Sequence, residues 1–67
     1  MANIKEVEKE MKMRDVTDTE MAKALDMDLS TWYRRKAAPA KLQIGEIEII
    51  VAVLHLTRSR AAEIFLN

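Results

Sequence analysis

At 67 residues, with eleven Lys or Arg balanced by eleven Asp or Glu, the chain has room for a single domain, residues 1–67, with a small core and no net charge. It has no cysteine and one histidine, which excludes a disulfide frame and a clustered zinc site and leaves apolar burial to hold the fold. The longest apolar run, Ile49 to Leu54, falls far short of the roughly 20 residues that cross a bilayer, and the N-terminal stretch is charged, so a soluble cytoplasmic protein with no membrane partner is expected.

Asn3 followed by Glu6 has the spacing of a capping box, and Ile4, Val7 and Met11 then fall three and four apart, which predicts a helix from about Ile4 to Met13. After a short connector, Thr17 and Glu20 repeat the cap-plus-acid signature ahead of Met21, Ala22 and Leu25 and open a second helix. Asp26 and Met27 make a turn. Asp28 is placed to accept from the free N–H groups of a third helix, Leu29 to about Ala37, and Pro39 ends that helix and begins a loop.

Residues 44–54 are rich in β-branched side chains and begin with strand-like alternation. Ile47, Ile50, Val51 and Leu54 nevertheless form an i, i+3, i+4, i+7 set, and a lone strand in so short a chain would have no partner for its backbone, so a fourth helix is expected. Thr57 then caps a last helix, with Ala61, Ile64 and Phe65 turned inward. The expected class is all-α.

The order short helix, tight turn, short helix over about residues 18–36 is the unit that lays its second helix in the DNA major groove. Zero net charge argues against such a partner until the charges are placed along the chain. Residues 1–28 hold five Lys or Arg and eight acids, and residues 43–67 hold two and three, whereas residues 29–42 hold Arg34, Arg35, Lys36 and Lys41 and no acid. Beyond a Debye length of about 8 Å charges are largely screened, so this local excess is what a phosphate would meet.

On these residues the chain resembles the lambda-repressor-like, or Cro/repressor-type, helix-turn-helix regulators of phages and prophages. Thr17, Glu20, Met21, Ala22, Lys23 and Leu25 match the family's first motif helix, and Ser30, Thr31, Trp32, Tyr33 and Arg34 match the Ser-Thr-aromatic-Tyr-Arg run of its recognition helices. Pro39, Lys41 and Gly45-Glu46-Ile47 fall where one branch has a loop and the start of helix four. The resemblance implies a compact five-helix domain, dimerisation and a sequence-specific transcriptional regulator that binds operator-like double-stranded DNA. Three positions depart from the pattern: Asp26 stands where the turn favours glycine, Asp18 where a phosphate-touching glutamine is common, and Leu29 where a base-reading Gln or Arg is common. Asp tolerates the left-handed conformation better than most residues, and the Asp18 carboxylate is expected either to repel the DNA backbone or to face elsewhere.

In a docked recognition helix the N-terminal residues reach base edges and those one turn later share their face, which makes Leu29, Ser30, Tyr33 and Arg34 the base-contacting candidates. The Arg34 fork can donate twice to guanine O6 and N7, a contact worth about 1–3 kcal/mol of discrimination. Thr19, Thr31, Arg35, Lys36 and Lys41 are candidates for phosphate, with Gly45 admitting one more at the N-terminus of helix four. Trp32 occupies the slot that packs between the two motif helices, Met11, Met13, Met21 and Met27 are expected to fill core gaps, and His55 is read as a surface residue. Ile49, Val53 and Leu66 exceed the needs of one core stripe and are the candidate homodimer interface. No nucleophile with a base, phosphate-cradling glycine loop or ligand cluster can be assembled, so no enzyme activity, cofactor, metal or small-molecule substrate is expected. The alternative to a DNA-binding regulator is a helical protein-interaction module that keeps the fold without DNA contacts, a reading that Asp18, Leu29 and the zero net charge support.

Overall fold

The computed structural model describes residues 2–66, which form α1 (Ile4–Met13), α2 (Asp18–Ala24), α3 (Leu29–Ala37), a 3-10 turn (Pro39–Lys41), α4 (Ile44–Val53) and α5 (Arg58–Phe65). The starts are set by local chemistry. Asn3 Oδ1 accepts from the Glu6 amide at 3.3 Å, Thr17 Oγ1 from the Glu20 amide at 3.1 Å, and Thr57 Oγ1 from the Arg60 amide at 3.1 Å. At α2 the box closes in both directions, because Glu20 Oε1 accepts from the Thr17 amide at 2.9 Å. Asp28 departs from expectation: it occupies the cap position of α3, but its side chain makes no capping hydrogen bond.

Three of the helix ends are copies of one corner. α1, α2 and α4 each finish with a residue of positive φ, Asp15 (59°), Asp26 (56°) and His55 (52°), one residue past the cap. In each corner the next amide donates back to a carbonyl in the last turn: Val16 to Met11 at 2.8 Å, Met27 to Ala22 at 3.0 Å and Leu56 to Val51 at 3.0 Å. This is the Schellman arrangement, in which the left-handed residue lets the chain leave the helix while satisfying its orphan carbonyls. The apolar residue that follows, Val16, Met27 or Leu56, packs against the core, and the helix start comes next, at Thr17, Asp28 or Thr57.

α4 is a helix because its apolar stripe finds a core, despite the β-branched composition. Ile50 and Leu54 are fully buried, and Ile47 and Val51 pack against them. They join Val7, Met21, Trp32 and Ile64, also without exposed surface, and Met11, Ala22, Leu25 and Phe65 complete the buried set. Met13 is a correction: it is 68% exposed at the end of α1, since the stripe formed by Ile4, Val7 and Met11 leaves it on the outer side.

The two ends of the chain are tied together. The Asn3 amide donates to the Ile64 carbonyl at 2.8 Å, and Arg60 on α5 donates to Glu6 and to Glu10 on α1, the latter at 3.0 Å. Glu10 is buried, and Arg14 also reaches it at 3.4 Å, so its charge is matched from two sides. The Arg60 hydrogen bond draws the Glu6 carboxyl below its ordinary range and raises the guanidinium's own value. Among the described residues no buried side-chain polar atom is left without a partner. The Cα radius of gyration, 10.6 Å, is that of a compact chain, for which about 11 Å is expected at this length. No helix among the described residues is long and apolar enough to cross a membrane.

Candidate nucleic-acid interface

α3 follows a four-residue turn, Leu25 to Asp28, and presents two unlike sides. Leu29, Ser30, Tyr33, Arg34 and Ala37 are exposed, whereas Trp32 is fully buried and Thr31, Arg35 and Lys36 are half-buried. At 100° per residue the exposed five fall within an arc of about 140°. The four base-contacting candidates therefore share one open face, and the indole on the opposite side anchors the helix to the core. Tyr33 keeps 48% of its surface free and Leu29 37%. Arg34 donates from Nη2 to Thr31 Oγ1 at 3.0 Å, a hydroxyl contact that orients the guanidinium without neutralising it.

The cations around this face are not equivalent. Arg35 donates from Nε to Glu46 Oε1 on α4 at 3.3 Å. Lys36 donates to Asp18 Oδ1 at 2.8 Å and to Glu8 Oε2 at 3.1 Å, and its side chain is only 12% exposed. Arg34, Lys41 and Lys23 are exposed and have no carboxylate within salt-bridge distance among the described residues.

Asp18, expected to repel phosphate or turn away, is turned inward. Its Oδ1 accepts from the Trp32 indole Nε1 and from Lys36 Nζ, each at 2.8 Å. Burial works to raise this carboxyl, but the hydrogen bonds from Lys36 and then from Trp32 outweigh it and hold the group below its ordinary range. For Lys36 burial works to lower the ammonium value, and the bonds to Asp18 and Glu8 more than offset it, so the lysine is held charged.

Thr19 is exposed on α2 and lines an open recess of about 380 Å³ with Lys23, Asp26, Met27, Asp28 and Leu29, immediately beside the leading end of α3. Lys23 is thus a cation adjoining the candidate face that its place in a helix gave no reason to single out. Its match to the first motif helix carries no contact role, and its spacing, four residues after Thr19 on the same side of α2, is the signal that could place it here. Gly45 is exposed, and a Cβ there would meet no atom within 4 Å, so the backbone is open to approach. The start of α4 is occupied in part by Glu46, whose Oε1 accepts from the Gln43 amide at 3.0 Å as well as from Arg35.

The three dimer candidates have different surroundings. Leu66, 81% exposed, borders an apolar groove of about 260 Å³ with Ile47, Ala61, Ala62 and Phe65 between α4 and α5. Ile49 and Val53 lie on another side of α4, Ile49 about 160° around the helix from Ile47. Ile49 is 37% exposed and Val53 packs against the core. Ile44, 78% exposed, is a further apolar residue on the outside of α4. Comparisons with protein-family models, curated proteins and solved structures found no match to this chain.

Proposed function

We propose that the protein is a sequence-specific DNA-binding regulator of the lambda-repressor-like, Cro/repressor type, which reads the major groove with α3 and acts by occupying its site. The observation that carries this reading is the single uncovered face of α3, where Leu29, Ser30, Tyr33 and Arg34 emerge together while Trp32 locks the reverse side into the core. Arg34 offers its fork to guanine, Leu29 can pack on a thymine methyl, Ser30 can bond to more than one base, and Tyr33 can reach a sugar or phosphate. In this reading Thr19, Thr31, Lys41 and the Gly45 backbone supply positioning contacts, and Lys23 joins them from α2, while Arg35 is taken up by Glu46. A cytoplasmic location and pairing of two copies on DNA, with recognition helices about 34 Å apart, belong to the same reading.

Selection from random duplexes tests it. Recovery of one preferred site, with binding that weakens steeply as salt rises, is expected; equal retention of every duplex, or none, would reject it.

A specific observation favours the second reading, a helical protein-interaction module. The apolar groove between α4 and α5, bordered by Leu66, and the exposed Ile44 on α4 are surface to which the α3 reading gives no role. Under that reading the protein binds no duplex selectively, and its salt dependence is flat.

A further inference from the structure

Lys36 stands in sequence among the cations expected to neutralise phosphate, yet its surroundings are those of a structural junction. Its ammonium rises from α3 and donates to Asp18 on α2 and Glu8 on α1, so one group joins three helices. The same nitrogen sits 5.0 Å from the Tyr33 ring centroid and 5.6 Å from that of Trp32. Asp18 Oδ1 is shared between the ammonium and the Trp32 indole, which closes the network around the anchor of α3. An ammonium with two carboxylates and two aromatic faces has few donor directions left for a phosphate, and reaching one would mean giving up those partners.

We infer that Lys36 is a positioning residue for DNA recognition: held by Asp18 and Glu8, it fixes the rotation of α3 and the placement of the Tyr33 ring, and it does not bind the DNA backbone. The inference rests on the DNA-binding reading and assigns Lys36 a role opposite to that of Lys41, which is exposed and unpaired among the described residues. A phosphate-binding lysine contributes counterion release and no sequence preference; a positioning lysine contributes preference and no counterion release.

The two roles separate in the salt slope, the change of log affinity with log salt concentration. Lys41→Ala should make the slope shallower by about 0.9, the effect of one lost phosphate contact, while the ratio of preferred to random duplex affinity stays constant. Lys36→Met, which keeps the aliphatic stem, should leave the slope unchanged and lower that ratio about tenfold, as for one misplaced base contact. Lys36→Arg keeps the charge and so preserves folding if the methionine variant does not fold. A planar fork does not reproduce three-way contact by a compact ammonium, so selectivity should again fall with the slope unchanged. A shallower slope in Lys36→Met with selectivity intact, or full selectivity in Lys36→Arg, would overturn the inference while leaving the DNA reading in place. A flat slope for the unmodified protein would overturn both.

Discussion

Truncating Trp32 to alanine would remove a fully buried indole and its hydrogen bond to Asp18, a loss of about 3–5 kcal/mol for an aromatic side chain. A chain of this length has about 3–10 kcal/mol of total stability, so Trp32→Ala should remove about a third or more of it, read as a large fall in the urea midpoint by far-UV circular dichroism. Asp18 gives a pH signature. Its folded-state value is lowered, so the stability it confers is present above the unfolded value near pH 4 and is lost as pH falls through the lower, folded value. Asp18→Asn should cost about 1 kcal/mol at pH 7, reduced for solvent screening of a partly exposed pair, and the gap to the unmodified protein in urea titrations should close below about pH 4. At the candidate interface, Arg34→Ala should relax preference at a single base position at a cost of about 1–3 kcal/mol on the preferred site, read by competition between duplexes.

At the scale of the elements, the helix starts were readable because capping is local: Asn3, Thr17 and Thr57 bond within three residues of themselves, and the spacing of hydroxyl, amide or acid is visible in the chain. α4 was readable against its own composition because the positions of Ile47, Ile50, Val51 and Leu54, and not their β-branching, decide which face can be buried. Helix ends were harder. Their shared corner depends on a left-handed residue that in all three cases is not glycine, and although Asp and His are enriched in that conformation, residue type alone does not single out Asp15 or His55. The left-handed conformation is a cost for a side chain with a Cβ, so His55→Gly should stabilise the protein by about 1 kcal/mol, seen as a raised urea midpoint with an unchanged slope. The open face of α3 was foreseen from its period. The pairing of Lys36 with Asp18 and Glu8, residues 18 and 28 positions away, was not, because no local pattern encodes a bond across three helices.

For the molecule as a whole, zero net charge hides a division of labour among the cations. Arg60 holds α5 to α1, Lys36 joins α1, α2 and α3, Arg35 ties α3 to α4, and Arg34 on the candidate face, Lys23 beside it and Lys41 in the 3-10 turn remain exposed. Counting basic residues along the chain could locate the excess but not separate structural charges from available ones, since that depends on which acids the fold brings near. Apolar surface shows the same limit: Ile49 and Leu66 are both exposed, but Leu66 borders the α4–α5 groove, whose lining does not include Ile49. The most direct measurement of the central claim is the affinity of the unmodified protein for a selected duplex and for a scrambled one across salt concentrations. The account predicts a log–log slope between about −3 and −6, as several phosphates are neutralised, with clear preference for the selected duplex at every salt concentration. Equal affinity for both duplexes with a slope near zero would contradict it.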